Sequence, residues 1–81
     1  MEQEILHILQ EINPYIEIEI DTRLLQEEVL DSMQLLLLIS ELEDQYQIQI
    51  PLDELQLEDF KDVVSIAELV KKQSRGITND N

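Results

Sequence analysis

The 81-residue sequence contains no cysteine and no tryptophan, and it has only one glycine and two prolines. Without cysteine the chain forms no disulfide and no thiolate metal site, so packing alone must stabilise a single small domain. No apolar run approaches the ~20 residues that span a bilayer as a helix. The acidic start, with Glu2 and Glu4, is unlike the basic start of a signal peptide. We therefore expect a cytoplasmic protein that does not insert into membranes.

Basic residues are also scarce: five Lys and Arg stand against 19 Asp and Glu, which gives a net charge of −14 at pH 7. A field of this sign repels phosphate backbones and argues against a nucleic-acid partner. It favours encounters with basic patches on other proteins, although acidity can also serve solubility alone. The hydrophobic share of 43% is enough for a packed core.

The residues that carry most enzyme chemistry are missing or isolated. The one histidine, His7, has no partner at ligand spacing and is interpreted as a surface or boundary residue. The only glycine, Gly76, stands near the end of the chain. A glycine-rich phosphate loop is therefore absent. The acidic clusters at 27–31 and 41–44 lack a calcium-loop pattern. We expect neither a specific metal site nor catalysis by this chain alone.

Hydrophobic periodicity predicts a first helix over residues 2–12, which Asn13-Pro14 ends. Residues 15–30 then lack a helical pattern. Ile16, Ile18 and Ile20 alternate with acidic residues, which favours a long extended loop attached to the core by alternate isoleucines. A short strand pairing with residues 48–50 is the alternative, because the same alternation recurs there.

A second helix is predicted from about Ser32 to Tyr46, with Asp31 or Ser32 as the N-cap. Its core face has helical spacing and comprises Leu35, Leu38, Ile39, Leu42 and Tyr46. A helix with apolar residues on two faces is either fully buried or meets something outside its own domain, and full burial is difficult in a chain of 81 residues. We therefore predict an exposed contact strip of Met33, Leu36 and Leu37, flanked at the far end by Glu41, Glu43 and Asp44.

The rest of the chain predicts an extended segment ending at Pro51, a short helical turn over residues 57–61 and a last helix. Phe60 should fill the core. Ser65 is the expected N-cap of the last helix, and Glu68 completes a capping box. We place the domain at residues 1–73 and a flexible tail at residues 74–81.

These features resemble a known family. Leu30-Asp31-Ser32-Met33 is similar to the Leu/Ala-Asp-Ser-Leu signature of acyl and peptidyl carrier proteins. Further similarities follow in order at residues 38–46, at the Ile-x-Ile-Pro segment 48–51, at 57–60 and at 65–70. The resemblance covers roughly residues 2–72. Although an Asp-Ser pair alone says little, the ordered set at these spacings is specific.

The resemblance implies an all-α fold, a small four-helix bundle with a long loop between helices 1 and 2 and a short third helix. It implies that Ser32, preceded by Asp31, carries 4′-phosphopantetheine from coenzyme A. The arm's thiol would hold acyl or aminoacyl groups as thioesters while partner enzymes do the chemistry. Those partners would be a phosphopantetheinyl transferase, a loading enzyme and downstream synthases, and the carrier itself would be a monomer. The surface that meets them would comprise Met33, Leu36, Leu37, Glu41, Glu43 and Asp44.

The sequence also departs from the family pattern. Glu28-Val29-Leu30 stands where a glycine is common, and Gln34 and Leu37 make the helix less acidic near the serine. We therefore expect a free-standing carrier for a specialised pathway, of the nonribosomal peptide or polyketide type or another dedicated acyl transfer. The alternatives are fatty-acid synthesis, a D-alanyl carrier (whose usual tryptophan is missing here) and an unmodified acidic helical adaptor.

Overall fold

The structure, a computed structural model, describes the backbone of residues 1–78 and the side chains of residues 1–74. It contains three α-helices: α1 at Glu2–Ile12, α2 at Ser32–Tyr46 and α3 at Val63–Thr78. Two 3₁₀ segments, Leu52–Glu54 and Leu57–Phe60, connect α2 to α3. The described residues form no strand, so the predicted all-α class is confirmed.

The predicted count of four helices is not what the described residues show, because the third position holds the 3₁₀ segment Leu57–Phe60. Gln56 and Asp59 cap this segment: the Gln56 amide donates to Asp59 Oδ2 at 3.1 Å. The chain between Pro51 and the start of α3 at Val63 is too short for both 3₁₀ segments and an additional α-helix. The segment nevertheless delivers Phe60 to the core, where it is 1% exposed, as predicted.

Helix α1 begins with Glu2 and Glu4 in its first turn, where the helix dipole favours negative charge. It ends at Ile12, one residue before Asn13, whose non-helical backbone is expected of a residue that precedes proline. The buried face of α1 packs against both α2 and α3, so α1 forms one wall of the core. The buried residues of this face are Ile5, Ile8 and Leu9.

Residues 13–31 form turns and extended backbone and do not pair as a strand with residues 48–50. The Gln10 side chain holds this segment to α1, donating to the Ile16 carbonyl at 2.6 Å and accepting from the Ile18 amide at 3.2 Å. Ile18 is buried and Ile20 is half-buried, but Ile16 is exposed. The predicted attachment by alternate isoleucines is therefore wrong for Ile16, whose carbonyl is held by a side chain at the surface.

The core is one cluster built from all three α-helices, Phe60 and the loop between α1 and α2. Leu24 and Val29 bring the loop into it, while Ile48 and Ile50 bring in the segment after α2. No polar or charged side chain is buried among the described residues. This core determines which side chains of α2 remain for other contacts.

The predicted N-cap of the last helix is wrong. Helix α3 begins at Val63, and the Ser65 amide donates to Asp62 Oδ1 at 2.8 Å, so Asp62 holds the capping position. Val63 and Ile66 are both buried, and burying them on one helical face requires the helix to start before Ser65. Glu68 lies 3.9 Å from Lys71 and takes no part in a cap with Ser65.

Helix α3 also continues through residues 74–78, which the sequence analysis assigned to the tail. A glycine inside a helix costs only about 1 kcal/mol, so Gly76 is too weak a signal to end one. Residues 79–81 of the predicted tail lie outside the described residues.

Candidate functional site

Ser32 is the first residue of α2, and the residue before it determines its position. Asp31 has extended backbone, and its Oδ1 accepts from the Gln34 amide at 2.8 Å. In return, the Asp31 amide donates to Gln34 Oε1 at 3.2 Å. This capping box identifies Asp31 as the N-cap, one of the two residues that the sequence allowed. Ser32 is consequently held at the mouth of the helix with its side chain exposed.

The surroundings of the Ser32 hydroxyl suit an attached phosphate. The hydroxyl has no hydrogen-bond partner within the described part of the chain, and neither do the backbone amides of Ser32 and Met33. Free amides in the first turn, together with the helix dipole, favour an anion at this position. A phosphodiester on Ser32 therefore fits the residues that are present.

The loop that leads into Ser32 is held from three sides. The Leu24 carbonyl accepts from the amides of Val29 at 2.8 Å and Leu30 at 3.3 Å, and the Leu24 amide donates to the Lys61 carbonyl at 2.8 Å. Asn13 Nδ2 donates to the Val29 carbonyl at 2.8 Å. Leu24, Val29 and Leu30 are also buried. Packing and hydrogen bonds therefore both hold the backbone that precedes Ser32.

Glu28 has a left-handed backbone conformation, with φ of 57°. This is the region that glycine enters without steric cost and that other residues enter rarely. Glu28 lies in the loop before Ser32 (the serine loop, residues 24–31), where the family resemblance leads us to expect glycine. The turn geometry is thus retained although the glycine is not.

The apolar residues of α2 divide between two faces, as predicted. Leu38, Ile39 and Leu42 are buried, and Leu35 and Tyr46 pack against the core as partly buried residues. On the other face Met33 is 72% exposed, and Leu36 and Leu37 are each 54% exposed. We call Met33, Leu36 and Leu37 the contact strip. It begins directly beside Ser32.

The acidic residues at the far end of α2 are not equivalent. Glu41 and Asp44 are exposed, so their charges are available near the contact strip. Glu43 is half-buried, and its Oε2 accepts from the Ile50 amide at 2.9 Å. The Glu43 carbonyl accepts from the Ile48 amide at 3.2 Å. Glu43 therefore holds the segment after α2 in place.

Several polar residues that support the site were not found from the sequence. Gln34 closes the capping box, and the Asp-x-x-Gln pattern at 31–34 was the available signal. Gln10 and Asn13 fix the loop by long-range bonds, for which no local signal exists. His7 lies at the surface, one of the two placements predicted for it, with Nε2 3.3 Å from Glu11 Oε2.

Two searches bear on other kinds of site. In the part of the chain that the structure describes, no group of three or more His, Cys, Asp or Glu side chains is placed to hold a metal ion. Over the same residues, no helix is both long and apolar enough to cross a membrane.

Comparison with known proteins identifies the family of this chain. The family model described as "phosphopantetheine attachment site" matches residues 3–70, which is most of the chain. A search of curated proteins found no significant match. Such a domain implies a covalently attached 4′-phosphopantetheine, and domains of this kind are generally non-catalytic carriers. The chain belongs to the phosphopantetheine attachment site family and is a carrier protein.

Proposed function

We propose that this protein is a free-standing carrier that holds acyl or aminoacyl intermediates on 4′-phosphopantetheine attached to Ser32. One observation carries the proposal above all: Ser32 is an exposed hydroxyl on the first residue of α2, beside two backbone amides without partners in the described chain. The bound arm supplies a thiol, which compensates for the absence of cysteine from the chain.

Attachment is a phosphoryl transfer at the serine. The Ser32 oxygen forms a bond to the phosphorus of coenzyme A that bears the pantetheine, and the pyrophosphate bond breaks with release of 3′,5′-ADP. The serine proton passes to the transferase. Asp31 accepts a bond from the Gln34 amide through Oδ1, and we assign it a structural part in this step. Its role is to position Ser32.

The contact strip is the surface that we propose for partner enzymes. Met33 and Leu37 supply apolar contact next to the attachment point, and exposed Glu41 and Asp44 offer charge to basic patches. Charges at such a rim act mainly on association rate and specificity. Glu43 was predicted to belong to this surface, but its bond to the Ile50 amide supports a structural role.

A specialised pathway is favoured over fatty-acid synthesis by the composition of this face. The Gln34 side chain is hydrogen-bonded within the capping box. Leu37 is an exposed apolar residue where fatty-acid carriers have an acidic one. Partners would therefore present a more apolar surface than those of an acidic carrier. The mass of the natively loaded protein would identify the cargo and so test this assignment.

The experiment that tests the carrier function is modification by a broad-specificity phosphopantetheinyl transferase with coenzyme A. Intact-mass measurement should show the gain of one phosphopantetheinyl group. Ser32→Ala should abolish the gain, and Ser40→Ala, which alters another exposed serine of α2, should leave it unchanged. An unmodified wild-type protein would overturn the proposal and favour the adaptor alternative, in which Ser32 only begins a helix.

A further inference from the structure

A groove runs between α1 and α2 beside the contact strip. Its volume is about 330 Å³, and it is lined by Ile8, Glu11, Ile12, Leu37 and Glu41. Leu37 belongs to the contact strip, and Glu41 lies one turn further along the same helix. The groove therefore joins the contact strip to the surface of α1, a helix to which the sequence assigned no role beyond packing.

The lining combines apolar surface with two carboxylates. Ile8 and Ile12 are buried or half-buried, whereas Glu11 and Glu41 are exposed and come from opposite helices. No lysine or arginine lines the groove, and the His7 ring lies 3.3 Å from Glu11 on the α1 side. This arrangement complements a long basic side chain, whose aliphatic stem covers apolar surface while its charged end meets carboxylates.

The groove lies within reach of any enzyme that acts on Ser32. Helix α2 rises 1.5 Å per residue, so Leu37 and Glu41 lie roughly 8 and 14 Å along the axis from Ser32. A typical interface of ~800 Å² on each partner is roughly 30 Å across. An interface of that size centred on Ser32 extends roughly 15 Å in each direction, which is comparable with these distances along α2.

We propose that this groove receives an arginine or lysine side chain of the phosphopantetheinyl transferase, so that Glu11 of α1 is a specificity determinant for modification. The inference rests on the proposed function and extends the partner surface from α2 to a second helix. The transferase is the occupant, because it is the partner that must approach Ser32 while the hydroxyl is unmodified. The charge complementarity of Glu11 and Glu41 then selects a basic side chain.

The test compares steady-state kinetics of modification for Glu11→Gln, Glu41→Gln and the double variant, with a broad-specificity transferase and coenzyme A. Glu54→Gln is the matched control, since Glu54 is an exposed carboxylate outside the groove. Each single variant should raise KM for the carrier roughly three-fold at low salt, with kcat unchanged. The double variant should raise KM by a factor smaller than the product of the two single-variant factors, because both carboxylates contact one basic group.

Thermal unfolding of each variant establishes that the fold is intact, which the exposure of both carboxylates predicts. If Glu11→Gln has the KM of the Glu54→Gln control, the inference is wrong while the carrier function stands. A change in kcat alone would contradict it equally, because the groove lies away from the reacting oxygen. Failure of the wild-type protein to be modified would instead remove the proposed function and the inference together.

Discussion

At the scale of single residues, Ser32 depends on its neighbours more than on its own chemistry. Asp31 caps the helix and Gln34 returns the bond, so the serine begins α2 in a fixed orientation. Leu24 and Asn13 hold the approaching backbone. The Ser32 side chain is thereby exposed while hydrogen bonds hold the backbone around it.

Substitution of Glu28 tests whether its left-handed backbone conformation lowers the stability of the protein. Glu28→Gly should raise the free energy of unfolding by about 0.5–1 kcal/mol, because glycine enters a positive-φ position without steric cost. Glu27→Gly is the matched control: it removes the same charge at an exposed neighbour whose φ is not positive, and it should be destabilising. Denaturant melts at neutral pH measure both. A Glu28→Gly protein no more stable than wild type would contradict the assigned strain.

At the scale of secondary-structure elements, α1 and α2 could be predicted from the sequence because strong apolar periodicity coincides with clear signals at the helix ends. The Asn13-Pro14 stop is a local feature and was found, and the cap of α2 was narrowed to Asp31 or Ser32, of which Asp31 is correct. The start of α3 was misplaced because both Asp62 and Ser65 suit an N-cap, and only burial of Val63 decides between them. The bonds of Gln10 and Asn13 depend on tertiary placement, which no local pattern encodes.

The corrected start of α3 predicts a difference between two substitutions. Asp62→Ala should lower the free energy of unfolding by about 1 kcal/mol, because the Ser65 amide loses its acceptor. Ser65→Ala, the substitution that would matter if Ser65 were the cap, should change it by much less. Chemical denaturation of the two variants gives the comparison. Equal losses, or a larger loss for Ser65→Ala, would restore the original assignment.

Tyr46 links the end of α2 to the start of α1, since its hydroxyl donates to Glu4 Oε1 at 2.7 Å. Partial burial, reinforced by the Glu4 carboxylate, raises the pKa of Tyr46 above its ordinary value of 10.0. As the pH rises, the unfolded chain loses the Tyr46 proton at a lower pH than the folded protein does. The contribution of the Tyr46 hydroxyl to the stability of the fold is therefore complete below pH 10.0 and declines above it.

Unfolding free energies measured on both sides of that pH should fall more steeply for wild type than for Tyr46→Phe. Tyr15→Phe is the control, because Tyr15 is 94% exposed and its substitution should leave the slope unchanged. Parallel slopes for wild type and Tyr46→Phe would show that the Glu4 contact does not persist in solution.

At the scale of the whole molecule, charge is the dominant property. Nineteen acidic residues and five basic ones are carried on 81 residues, and no charged side chain is buried in the described part. The acidic surface must therefore repel itself while it attracts basic partners. Both effects are screened by salt, with a Debye length of ~10 Å at 0.1 M.

Stability should accordingly rise with ionic strength. Added NaCl should increase Tm at neutral pH, and KCl should act alike, because screening depends on ionic strength rather than on the cation. Differential scanning calorimetry over a salt titration provides the measurement. A Tm that is constant or falls would mean that the carboxylates are not close enough to repel one another.

The central claim is that Ser32 carries the prosthetic group, and the most direct measurement locates that group on the chain. After reaction with coenzyme A and a broad-specificity transferase, fragment-ion mass spectrometry should place one phosphopantetheinyl group on Ser32 and none on Ser40 or Ser65. The Ser32→Ala protein should keep its unmodified mass under the same conditions. A group found on another residue, or an unchanged mass for the wild-type chain, would contradict the account.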